Sequence, residues 1–190
     1  MKGPRIILAI TGASGSLYAL EFLRLMAELE VEVHAIISEA GEQVLRLELG
    51  MGREELAQYV AQWHDIKNFA AAPASGSSLF SGMAVLPCSM GTLAAVAGGL
   101  SHNLIHRAAD VTLKQRRPLV LAVRETPLNR THLANMLAAH DAGATICPAM
   151  PAFYQQPADL TALARNFAGR VAELLGITVP NLARWSGIDE

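Results

Sequence analysis

The feature that most constrains this chain is its opening. Arg5-Ile-Ile-Leu-Ala-Ile-Thr11, apolar on both faces across its centre, runs without a linker into Gly12-Ala13-Ser14-Gly15. A strand with no polar face needs cover on both sides, the situation of a parallel strand between helical layers. After the turn, Leu17, Leu20, Leu23, Met26 and Leu29 recur at helical spacing, with Glu21, Arg24 and Glu28 on another face. This is strand, tight turn, helix.

The alternation repeats along the chain. Residues 31–38 (VEVHAIIS) read as a second strand, and 39–49 and 54–63 as helical pieces separated by Gly50 and Gly52. From 64 to 82 the pattern lapses, and 70–78 (AAAPASGSS) read as a loop of the kind that often holds ligands. Strands are expected at 83–88, 118–123 and 144–147, and helices at 91–100, 103–115, 131–140 and 159–175. The predicted fold is α/β: a three-layer, Rossmann- or flavodoxin-like parallel sheet with helices on both faces, as a single domain over residues 1–190.

Composition bounds the function. At 190 residues the chain closes a sizeable core without metals or disulfides. Its apolar share of 52% is spread in runs too short for a signal segment or a membrane span. Two cysteines, Cys88 and Cys147, form no CxxC pair, which agrees with a reducing, cytoplasmic location. A net charge of -2 argues against a nucleic-acid or anionic-membrane surface.

The chemistry gathers where strands end. Gly12-Ala13-Ser14-Gly15 joins a buried strand to a helix start, where backbone N–H groups and the positive helix end face an anion. It is neither a Walker A loop nor a GxGxxG fingerprint, and alone it is also an ordinary strand-to-helix turn. Cys88-Ser89-Met90-Gly91-Thr92 repeats the arrangement after the third strand, although Ser89 also suits a plain N-cap. Ser38 ends the second strand. Ligands of open α/β sheets sit beyond such ends. Arg124-Glu125 follow the fourth strand, where a rigid, partly buried cation binds phosphate and a carboxylate has a tunable pKa. Lys114, Arg107 and Arg170 add positive charge on helices. The histidines form no metal set, no GxSxG elbow supports a triad, and Cys88 reads as a buried small residue.

With those residues in view, the chain resembles the UbiX-type flavin prenyltransferases, within the FMN-binding flavoprotein decarboxylase-like group. The resemblance covers essentially the whole chain. Its most specific segments are Gly12-Ala-Ser-Gly15, Ala74-Ser-Gly-Ser-Ser78, Cys88-Ser-Met-Gly-Thr92, Asn103-Leu-Ile, Arg107-Ala-Ala-Asp110, Leu113-Lys114, Arg124-Glu-Thr-Pro127, His132-Leu, Asn135-Met-Leu137 and Pro151-Ala-Phe-Tyr154.

The resemblance implies that FMN is held by Gly12, Ala13, Ser14, Ser38, Ser89, Met90, Gly91, Thr92, Arg107 and Arg124. It implies dimethylallyl monophosphate as donor, met by Lys114, Arg124, Tyr154 and Arg170, with Ser75 and Phe69 adding to the donor site. Tyr154 and Arg170 would come from across a subunit boundary in a dodecamer, and the product would pass to a UbiD-type decarboxylase. Departures are mild: Gln115, His102 and Phe69 replace commoner residues, and Phe69 bears on the prenyl pocket. The implied reaction transfers the prenyl group to N5 and then C6 of reduced FMN. No DDxxD motif is present, so no metal is expected: cations and the Tyr154 hydroxyl would bind the phosphate. Glu125 is the leading candidate for the accompanying proton transfers, with Glu48 second and Ser14 as a relay. The rivals are an FMN-dependent cysteine-type decarboxylase, which needs a histidine base, and a non-catalytic FMN carrier, which has no use for Lys114, Tyr154 and Arg170 together.

Overall fold

The computed structural model describes residues 3–182, 184 and 185. Six parallel strands form one sheet: β1 (Arg5–Ile10), β2 (Glu32–Ile37), β3 (Gln62–Trp63), β4 (Gly82–Cys88), β5 (Leu119–Val123) and β6 (Thr145–Ile146), in the order β3-β2-β1-β4-β5-β6. Seven helices accompany them: α1 (Ser16–Glu28), α2 (Glu39–Leu49), α3 (Arg53–Leu56), α4 (Met90–Ala97), α5 (Leu104–Lys114), α6 (Arg130–Asp141) and α7 (Leu160–Leu174).

The expected three layers are present. Ile6, Leu8 and Ile10 of β1 enter one apolar cluster with Phe22, Met26 and Val171 from α1 and α7; Ile7 and Ala9 enter another with Leu93, Leu104 and Ile105 from α4 and α5. That alternation along a single strand is the period of two that a sheet covered on both faces requires. Helices start on short polar side chains: Ser38, Ser89, Asn103, Asn129 and Asp159 each accept a backbone N–H from the first turn of the helix they precede. On the outer side, Arg165 of α7 reaches both Glu28 and the buried Glu21 of α1, which pins the last helix to the first.

One expectation needs correction. Residues 54–63 are not one helix: α3 is a single turn, a 3-10 turn follows over Ala57–Tyr59, and Gln62–Trp63 pair with His34 and Ala35 as an edge strand. The sheet therefore has six strands where five were expected. Elsewhere the expected elements are present with ends that differ by up to three residues.

Candidate functional site

Between β1 and β4 the strand order reverses, which opens a crevice at their carboxyl ends. Thr11 ties the two ends together. Its N–H and its hydroxyl both donate to the Pro87 carbonyl, at 3.2 and 2.8 Å, and its hydroxyl oxygen accepts the Ser89 N–H at 2.8 Å. The β4–β5 register shifts between Val85 and Cys88, around a proline that has no N–H to give a neighbouring strand. Gly12 follows directly. A Cβ there would lie 2.5 Å from the Ala40 Cβ, so only glycine lets α2 pack against this turn.

Ser38 and Ser89, expected to hold a ligand, are each engaged as N-caps, accepting from Gly41 N–H at 3.0 Å and Thr92 N–H at 3.3 Å. Met90, Gly91 and Thr92 form the first turn of α4, and a Cβ on Gly91 would meet nothing within 4 Å, so this turn faces open space.

The start of α1 differs from expectation. The N–H groups of Gly15 and Ser16, which an outside anion was expected to find free, donate to the Glu48 carboxylate at 3.0 and 2.7 Å. Gly15 has φ 121°, a left-handed backbone that glycine adopts without strain, and this turns the chain into the helix. Burial pushes the Glu48 carboxyl up, but hydrogen bonds from the Ser14 hydroxyl and from the Ser16 and Gly15 N–H groups outweigh it and hold it below the usual range. Ser14, Gly15, Glu48, Tyr18 and Arg124 line one cavity of about 510 Å³, with an apolar wall from Leu160 and Leu163. Burial raises the Tyr18 hydroxyl, and the Arg124 charge opposes that rise.

Arg124 and Glu125 are both exposed, not partly buried as their position after a buried strand suggested. Their backbone is fixed, since Arg124 N–H donates to Cys88 O at 3.2 Å and Thr126 N–H donates to the Glu125 carboxylate at 3.0 Å. Glu125 lines a neighbouring hollow of about 210 Å³ that shares Arg124 and Ala149 with the main cavity. A third cavity, about 470 Å³, holds Tyr154, Arg170 and the partly buried Cys147. Its wall toward the first cavity includes Phe167, whose ring lies 4.9 Å from that of Tyr18.

Four expected site residues lie elsewhere in this chain. Lys114 ends α5 just before β5, at the amino edge of the sheet, whereas Arg124 follows β5 at the carboxyl edge. The length of β5, roughly 16 Å for a five-residue strand, separates the two ends. Arg107 pairs with Asp110 at 2.8 Å and donates to Ala74 O, so it braces the loop that carries the exposed Ser75 and Phe69.

Four of the six histidines form pairs away from the cavity: His34 bonds His64 at 2.8 Å and Glu32 at 2.9 Å, and His102 faces His106. Among the described residues, no group of three or more His, Cys, Asp or Glu side chains is placed to hold a metal ion. Burial pushes the Cys88 thiol up to about 12, which leaves it inert. Sequence reasoning missed Thr11, Tyr18 and Arg184. Of these only Thr11 carried a signal, a hydroxyl at the end of an apolar strand.

Residues 1–167 match the family model described as Flavoprotein. A flavin prenyltransferase UbiX from Deinococcus radiodurans is 47% identical over 96% of this chain and 93% of its own length. The chain belongs to the UbiX flavin prenyltransferases. Two solved members of the family share its architecture closely. AnUbiX (PadA1), solved with FMN and dimethylallyl pyrophosphate, has a TM-score of 0.95 and 39% identity, over 98% of this chain and all of that one. A dodecameric FMN-dependent UbiX-like decarboxylase from Escherichia coli O157:H7 has a TM-score of 0.92 and 37% identity, over 96% and 100%.

Proposed function

We propose that this chain transfers a dimethylallyl group from a phosphorylated donor to N5 and C6 of reduced FMN. The observation that carries the reading is the crevice at the strand-order reversal, where Arg124 stands beside a glycine turn and apolar walls. The residues present fit a flavin: the α4 turn opens onto free space at Gly91, and Leu160 and Leu163 offer an apolar face.

Reduced FMN supplies the electron-rich N5 and C6 that are alkylated. The protein's part is to hold the donor, neutralise its departing phosphate and move protons. The donor's C–O bond would break, its two outer allylic carbons would bond to N5 and C6, and of the two protons released one would go to the central alkene carbon and the other to the departing phosphate. Arg124, Tyr154, Arg170 and Lys114 meet the phosphate through charge-assisted hydrogen bonds, so its charge is neutralised without a metal. Ser14 and Glu48 share a hydrogen bond inside the cavity and offer one proton path, and Glu125 offers another from the adjoining hollow. For Lys114 to reach the same phosphate as Arg124, it must come from another copy, as the resemblance also implies for Tyr154 and Arg170, in keeping with the dodecameric relative. The exposed Leu133 and Leu137 on α6, with Met150 and Phe153 nearby in sequence, supply apolar surface for such assembly. The prenylated flavin would then pass to a UbiD-type decarboxylase. No helix among the described residues is long and apolar enough to cross a membrane.

The test is anaerobic incubation of the protein with reduced FMN and dimethylallyl monophosphate in the presence of a chelator, reading flavin mass and absorbance. A gain of one five-carbon unit is expected. Unchanged FMN that nonetheless binds would sink the transferase in favour of a carrier.

A further inference from the structure

The cavity that holds Tyr154 and Arg170 contains a second guanidinium that the reading above does not use. Arg184 lines the same space, and both arginines converge on one carboxylate. Arg170 Nη1 lies 3.4 Å from Glu173 Oε2, while Arg184 Nη2 donates to Glu173 Oε1. The Glu173 side chain is only 16% exposed, against 63% and 66% for the two arginines. No other carboxylate lines the cavity among the described residues, so two cations face one anion there. The residue that follows Arg184 also packs in this cavity, where the ring of Trp185 meets that of Tyr154 edge-on at 5.4 Å.

A single phosphate does not need this much. Arg170 and the Tyr154 hydroxyl already offer it a bidentate cation and a neutral donor. A diphosphate adds a second phosphoryl group, with further acceptor oxygens and negative charge, directly beyond the first. Two guanidiniums gathered on one carboxylate can each take one of two linked phosphoryl groups. Glu173 then acts as the resident counter-charge, and an anion entering the cavity must compete with it for both arginines.

We propose that Arg184 sets the choice between monophosphate and diphosphate donors. Arg170 and Tyr154 bind the phosphoryl group attached to the allylic carbon, and Arg184 binds the second one. This rests on the prenyl-transfer reading, and it adds a specificity role for a residue outside the motifs that mark the family.

The experiment compares steady-state turnover of both dimethylallyl donors by the full chain with reduced FMN, for wild type, Arg184→Gln, Arg184→Lys and Glu173→Gln. Arg184→Gln should raise the KM for the diphosphate about tenfold to thirtyfold more than the KM for the monophosphate, the scale of one charge-assisted contact. Arg184→Lys should recover part of that difference, because charge returns without the fork. Glu173→Gln should lower the diphosphate KM, because the competing carboxylate is gone. A second readout needs no turnover: calorimetry of inorganic pyrophosphate and inorganic phosphate binding to the FMN-loaded protein, in which Arg184→Gln should reduce the ratio of the two affinities. Equal effects on both donors, or none, would overturn the proposal. If wild type turns over neither donor, the prenyl-transfer reading falls, and the pyrophosphate-to-phosphate ratio still decides the role of Arg184.

Discussion

At the carboxyl edge of the sheet the polar groups are bound to one another, whereas at the amino edge they brace loops. Thr11, Pro87 and Ser89 link β1 to β4, and Glu48 closes the start of α1. At the other edge Arg117 donates to the carbonyls of Gly76 and Ser78, Arg5 donates to that of Leu79, and Lys114 is exposed. The first edge is organised by its own hydrogen bonds. The second offers a cation on a helix end, which becomes useful only when something is brought to it. A catalytic centre built from both must be completed by assembly.

The sharpest way to break that contrast is to disable one edge at a time. Arg124→Ala and Lys114→Ala should each lower turnover about a hundredfold, the usual scale for losing one preorganised electrostatic contact. Co-expressing the two inactive chains should restore roughly a quarter of the activity, the share of sites that random assembly makes intact from different copies. No recovery in mixed oligomers would place both residues in one chain's site and end the comparison.

The next effect is steric. Gly12→Ala puts a methyl group 2.5 Å from the Ala40 Cβ, between two packed elements, and should cost about 1–3 kcal/mol and weaken FMN binding. Gly76→Ala at the amino edge meets only the mobile end of the Gln115 side chain, at 2.6 Å, and should cost less than about 0.5 kcal/mol. Thermal melts and flavin titration of the two variants measure the difference.

Smaller again is Glu48→Gln. Losing the charge at the α1 start should cost about 1 kcal/mol after solvent screening, a fall of about 2–4 °C in Tm. Because the Glu48 carboxyl is held below its ordinary value of 4.5, its contribution is present above that pH and is lost as pH falls through the lowered value. Melts of Glu48→Gln should therefore show a flatter profile than wild type in that acid window. Least of all is His64→Gln. Burial and the neighbouring His34 lower the His64 pKa below 6.5, so the stability tied to its neutral form holds above 6.5 and fades as pH drops below it. The variant should lose less stability than wild type between neutral and mildly acid pH, and equal slopes would remove His64 from the account.

What the sequence made legible follows the same division. The strands that build the carboxyl edge are apolar on both faces because both faces are covered, so β1, β4 and β5 stand out before any contact is known. The glycine turn and the two serine caps are local, and their spacing shows them. Other features depend on partners far along the chain. Gln62–Trp63 is a strand only because β2 lies beside it, and two residues carry no period to read. Glu48 sits on a helix whose spacing looks ordinary, and its seat at Gly15 lies 33 residues away. Arg184 looks like a solvated tail residue until α7 presents Glu173 to it. Arg124 failed expectation differently: a buried strand fixes the backbone of the residue that follows it but says nothing of how far a long side chain extends into water.

The carboxylate seated at the start of α1 has one more consequence. A helix end that carries its own counter-ion is electrically quiet, and it draws in no stray sulfate or nucleotide phosphate from a crowded solution. In the proposed reading, selectivity for flavin then falls to the shape of the Gly12 turn and the open first turn of α4, which a free inorganic ion has no means to exploit. Glu48 in effect keeps this door shut, and binding strength at this point should vary little with ionic strength.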